Sequence, residues 1–169
     1  MNVERAKLRK LPSEIADNFC FACGPGNPHG LHMTFYTDEE SLYSWVNIPP
    51  YLCGWGNIIH TGIQTVLLDE VMGKGALYLS KRIPMTTSIT ISLQKPVFWD
   101  RGEVLVQTRI MEYSGEREIV MQGKIFQSNS EPNVIARGTF RLFTLEAVRP
   151  FNIMNQAAIE SFEGFVKRL

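Results

Sequence analysis

Ile59-His60-Thr61-Gly62-Ile63-Gln64-Thr65-Val66-Leu67-Leu68-Asp69-Glu70-Val71-Met72-Gly73 is the stretch that decides the fold. Ile63, Val66, Leu67, Val71, Ala76 and Leu77 recur at helical spacing, and Leu68, Met72 and Leu79 widen the stripe almost all the way round. A helix apolar on nearly every side is predicted to be buried. Asp69 and Glu70 interrupt it, and a buried carboxylate is costly unless paired or hydrogen-bonded, so such acids cluster at functional sites. His60 and Gly62 stand at the first turn, where unpaired backbone N–H groups and the positive end of the helix dipole favour negative charge. One segment thus offers an anion-stabilising tip and, about two turns on, an acid.

The surroundings of that helix read as strands. Upstream, residues 31–48 alternate as a hairpin, with Leu31, Met33 and Phe35 on one face and Leu42, Ser44, Val46 and Ile48 following the turn Asp38-Glu39-Glu40-Ser41. Pro49-Pro50 ends the second strand, and the loop Tyr51–Asn57, rich in glycine and aromatics, feeds the helix. Downstream, Thr86–Lys95 is β-branched and alternating. Glu103–Tyr113, Ile119–Ser128 and Val134–Leu145 form three more strands joined by hairpin turns. Short loops demand antiparallel neighbours. The expected class is α+β: an antiparallel sheet of five to six strands curled around one long central helix, covered further by a second copy.

The ends read as appendages. Residues 1–18 are expected to form an amphipathic helical extension, residues 19–146 the main domain, and residues 147–169 a C-terminal helix, clearest over 153–168, packing on the same domain. Composition narrows the function classes. The chain has 169 residues, 17 basic and 17 acidic, so no basic footprint for nucleic acid exists. No apolar run is long enough for a membrane span, and the charged N-terminus lacks a signal core. Three cysteines, an odd number, argue against a disulfide framework and for a reduced, cytoplasmic protein.

Phe19–Leu31 is a turn-rich loop carrying Cys20 and Cys23 at the spacing of a zinc or redox pair. His29, His32 and Cys53 are the further ligands that a metal site would draw on. No second close pair exists and Gly-Pro-Gly follows, so the favoured reading is two buried structural cysteines and no metal; a metal- or redox-regulated module is the third-ranked function.

Gly54-Trp55-Gly56-Asn57-Ile58-Ile59-His60-Thr61-Gly62 followed by Leu67–Gly73 resembles the His-Gly-Gly helix of hotdog-fold acyl-CoA thioesterases, and the PaaI-like branch above all. Cys20-Phe21-Ala22-Cys23-Gly24, Asn27-Pro28 and Gly30-Leu31 resemble an N-terminal motif of that branch, and Thr86 stands ten residues before Pro96 as in the family. The resemblance spans residues 19–146. It implies that Asp69 is general base or nucleophile, that the Thr61 N–H, with Gly62, forms the oxyanion hole, that His60 orients the loop, and that a partner's Thr86 holds the water. Thr61 replaces the motif's first glycine, and Gly54 replaces an Asn or Gln, for which Asn57 is the substitute. Asn57, Trp55, Glu70 and Thr87 are the candidate substrate-binding residues; Lys81 and Arg82 are placed near CoA phosphates, and Leu52, Trp55, Phe98 or Trp99 near an apolar acyl chain. The expected protein is a homodimer or dimer of dimers that hydrolyses acyl-CoA without cofactor; the alternative is a non-catalytic hotdog protein binding an acyl-CoA or aromatic ligand.

Overall fold

The computed structural model describes residues 3–12, 18–128, 131–151, 159–160, 163–164 and 166–167. A single antiparallel sheet runs in the order β1-β2-β3-β5-β6-β7-β4. Its strands are β1 (Arg9–Lys10), β2 (Tyr36–Thr37), β3 (Ser41–Val46), β4 (Ile83–Leu93), β5 (Val104–Tyr113), β6 (Glu118–Phe126) and β7 (Val134–Phe143). The long helix α1 (Thr61–Ser80) lies across it, and a short helix α2 (Leu145–Val148) follows β7.

The sheet has seven strands, more than the five to six expected. The extra strand is β1, in the segment expected to be helical. Among its described residues, Arg5–Lys7 make one 3-10 turn and Arg9–Lys10 pair with Tyr36–Thr37. Its ties to the domain are tertiary. The Leu11 N–H donates to the Phe35 carbonyl at 2.9 Å. Arg9 pairs with Glu39 at 2.8 Å, and both meet the Tyr78 hydroxyl near the end of α1. Arg5 stacks over the Trp45 ring at 4.6 Å and helps to cover the outer face of β3, which is therefore buried on both faces instead of alternating. Of the helix expected over 153–168, residues 153–158, 161–162, 165 and 168 lie outside the described residues; the described remainder is helical.

Helix α1 buries Gln64, Leu67, Leu68, Val71, Met72, Gly75, Ala76, Leu77 and Tyr78. All but Leu77 recur at i, i+3, i+4 and occupy one side, whereas Leu77 lies on the side of Asp69 and Gly73. Ile63, Val66, Asp69, Glu70 and Gly73 are only half-buried. One chain's sheet therefore covers about half the helix, because a single curved layer cannot close around a rod. The approach is close because the sheet has gaps where the helix has bulk. A Cβ on Gly123 of β6 would stand 2.9 Å from Leu68 Cδ2 and 3.1 Å from Met72 Sδ, and one on Gly138 of β7 would stand 2.9 Å from Met72 Cε. The reciprocal gap is Gly75 on the helix, whose Cβ would stand 2.7 Å from a Thr108 methyl.

The start of α1 is pinned by loops from both sides. The Ile59 N–H donates to the Val97 carbonyl at 2.9 Å and the His60 N–H to the Leu52 carbonyl at 3.1 Å. Buried Gln64 donates from Nε2 to the Ile59 carbonyl at 2.7 Å. The Val97 loop is held in turn by Asn133, whose Nδ2 reaches the Pro96 carbonyl at 3.0 Å and whose Oδ1 accepts from the Gln127 N–H at 2.9 Å.

Overpacking costs about 1–3 kcal/mol, so Gly138→Ala is expected to destabilise the chain by about that amount in urea unfolding. Combined with Met72→Ala, which opens a cavity under it, the loss should fall short of the sum of the two single losses. Strict additivity would show that Met72 and Gly138 do not share the space.

Candidate functional site at the exposed side of the central helix

The tip of α1 is capped by its own histidine. His60 Nδ1 accepts from the Gly62 N–H at 3.0 Å, so the Gly62 donor is already engaged. Glycine suits that position because a Cβ would lie 3.1 Å from His60 Nδ1. The Thr61 N–H has no acceptor among the described residues, and Thr61 is solvent-exposed. Of the two donors expected at the tip, Thr61 is the one at liberty. The preceding loop is fixed by the turn in which Gly54 N–H donates to the Ile58 carbonyl at 2.9 Å and Gly56 adopts φ +59°.

Asp69 lies half-buried on the side of α1 that the sheet leaves uncovered. Thr86 Oγ1 of the same chain donates to Asp69 Oδ1 at 2.8 Å. The family resemblance attributed this threonine to a partner; the contact seen here is within one chain. It follows from a β-bulge. The pairing of β4 with β7 slips between Thr86 and Ser88, leaving Thr87 as the extra residue. Thr87 is tied down, its Oγ1 donating to the Thr139 carbonyl at 3.0 Å. The sequence reading placed Thr87 among substrate-binding groups; the structure gives it to the bulge.

Asp69, Thr86, Glu70, Lys74, Cys20 and Cys23 line one cleft of about 330 Å³. The N-terminal loop folds over this side of α1, its course set by Leu31 and Met33 N–H groups donating to the Phe21 and Ala22 carbonyls at 2.9 Å. Cys20 Sγ lies 3.7 Å from Glu70 Oε2, and Lys74 Nζ lies 4.0 Å from Glu70 Oε1. The Cys20 thiol is pulled down to about 5 by a hydrogen bond from the Cys23 side chain, with help from the Cys23 and Ala22 backbone and the charge of Lys74, against the opposing effect of burial. Cys23 is pushed up by its bond to Cys20 and by burial. All three cysteines are free thiols. His29, His32 and Cys53 do not join the pair; Glu70 does, a partner that sequence spacing gave no means of finding.

The other expected residues lie elsewhere. Asn57 donates to Asp100 at 2.8 Å, and Trp55 is 90% exposed. Leu52, Phe98 and Trp99 also stand outside the Asp69 cleft. Lys81 caps the helix in the left-handed conformation and lies over the Tyr78 ring at 4.2 Å, while Arg82 Nη1 donates to the Glu116 carbonyl at 2.6 Å. Arg82 shares a groove of about 760 Å³ with Arg117 and Arg141. Among the described residues no helix is long and apolar enough to cross a membrane.

No protein-family model matches the sequence. Verlamelin biosynthesis protein B from a Lecanicillium species is 42% identical over 57 residues, 27% of this chain and 25% of that protein, so the match spans a quarter of the relative's length. Among solved structures, a thioesterase from Haemophilus influenzae superposes with a TM-score of 0.63 at 15% identity, covering 80% of this chain and 95% of that one. The E. coli PaaI protein of the phenylacetic acid degradation operon gives 0.58 at 14%, covering 67% and 80%. A Bacillus halodurans protein solved with CoA gives 0.52 at 23%, covering 60% and 66%. Identities this low speak for the fold, and on that ground the chain is a hotdog-fold protein.

Proposed function

We propose that the chain is an acyl-CoA thioesterase whose site is completed by a second copy of itself. The observation that carries this reading is Asp69, an acid on the uncovered side of a helix that the apolar core otherwise claims, held by the Thr86 hydroxyl on one oxygen. That bond orients the carboxylate and leaves Oδ2 to accept a proton from an attacking water, or to attack the carbonyl itself. The Thr61 N–H at the helix tip supplies a donor for the oxyanion. The thioesterase and CoA-bound structures of the same fold support acyl-CoA as substrate.

The need for two copies follows from helix geometry. Thr61 and Asp69 are eight residues apart, about 12 Å along the axis at 1.5 Å per residue. A reacting carbonyl must lie about 3 Å from both its acid and its oxyanion donor. Backward tilt of the Asp69 side chain closes only part of that gap. One helix therefore supplies the acid and another the tip. Strand β4, an edge of 11 residues that pairs only with β7 among the described residues and leaves Met85 and Leu93 exposed, is the seam we assign. The groove at Arg82, Arg117 and Arg141 suits CoA phosphates, and the free thiols suit a reducing cytoplasm.

A thiol-release assay over short, long and aromatic acyl-CoAs tests the reading. Asp69→Asn is expected to lower kcat by at least about 10²-fold with the fold intact; equal turnover would remove the mechanism. Acyl-CoA binding without thiol release in the wild type would instead establish the non-catalytic alternative. Thr86→Val should lower kcat by about tenfold, the worth of one hydrogen bond to a charged group, measured with circular dichroism as a check on folding. Met85→Glu with Leu93→Glu is expected to turn a dimer into monomer by light scattering, with thiol release lost in step; a dimer that survives would move the seam elsewhere.

A further inference from the structure

We propose that Cys20, Cys23 and Glu70 form a zinc-binding site with its fourth position open to the Asp69 cleft. Their ligand atoms lie within 4.8 Å of one another. In a tetrahedral site with Zn–S near 2.3 Å and Zn–O near 2.1 Å, sulfur and oxygen stand about 3.6 Å apart. The Cys20 thiol donates to Glu70 Oε2 with sulfur and oxygen 3.7 Å apart. That edge of the cage thus already has close to the span the ion requires.

The loop that carries the two cysteines closes in a tight turn. The Gly24 N–H closes the turn on the Cys20 carbonyl at 2.9 Å. A Cβ on Gly24 would lie 2.3 Å from the Asn18 carbonyl oxygen, so only glycine permits the closure. The third ligand comes from 50 residues away on α1, which ties the turn to the helix.

Charge and the second layer of contacts agree. Two thiolates and a carboxylate carry one negative charge more than zinc neutralises. Lys74 supplies the balance from the far oxygen of Glu70, at 4.0 Å from Oε1, where it orients the ligating carboxylate. Coordination replaces the remaining thiol protons, which leave to buffer. With three protein ligands, all lining the cleft, the fourth position is left to water or to a thiol or carboxylate entering the cleft. Two soft sulfurs select zinc over magnesium or calcium. The site stands whether or not the chain hydrolyses thioesters.

The test uses the full chain, purified under a thiol-free reductant, stripped with chelator and reloaded with zinc or cobalt(II). Wild type should hold one metal per chain by elemental analysis and give a thiolate-to-cobalt charge-transfer band. Cys20→Ser should lose the band, Glu70→Gln should weaken zinc affinity at least tenfold in chelator competition, and Cys53→Ser should bind as wild type does. Cys20 is half-buried and folds more safely as serine than buried Cys23, so the result does not depend on the latter. A reduced wild type that retains no zinc and gives no band, or a Cys20→Ser variant that binds equally well, would overturn the site.

Discussion

Helix α1 can lie this close to the sheet only where the sheet has no side chains. Gly123 and Gly138 leave the space that Leu68 and Met72 fill, and Gly75 leaves the space for Thr108. Dispersion and apolar burial both fall off steeply with separation, so this contact sets how tightly the strands wrap and how deep the helix sits. It also sets the helix's rotation. With Leu68 and Met72 aimed inward, helical spacing turns Asp69, Gly73 and the outer side of Glu70 toward the uncovered half. The chemistry of the exposed side is a consequence of the packing on the hidden one.

The helix and the strands that follow it were legible because their apolar periodicities run over ten or more residues and the structure bears them out within a few residues at each end. The N-terminal segment was not. Arg5, Arg9 and Lys10 look like the polar face of a surface helix, but Arg9 is committed to a glutamate at the hairpin turn and the Tyr78 hydroxyl, Arg5 to the ring of Trp45, and Lys10 to strand pairing with Tyr36. Two residues of strand carry no periodicity to read. Tertiary bonds overrode local propensity there, as they commonly do in short segments.

The candidate site divides in the same way. Thr61, Gly62 and Asp69 lie within one helix and His60 caps it, so their spacing already contains their geometry. Glu70 beside Cys20 and Cys23 is a contact between a loop and a helix, and no local pattern announces it. Trp55 and Asn57 were attractive as a glycine-rich approach to the helix, but the tight turn at Gly54–Ile58 points the indole into solvent and gives Asn57 to Asp100.

The bulge at Thr87 carries a broader consequence for how this fold varies. Strand side chains alternate with period two, and one extra residue changes the parity of everything beyond it. Thr86 meets Asp69 because the chain is one residue longer there than its neighbour β7 needs. Whether a chain of this fold can deliver a hydroxyl to its helical acid is thus a matter of counting as much as of chemistry: a single-codon deletion would leave every functional residue in the sequence and still point the strand's hydroxyls the wrong way.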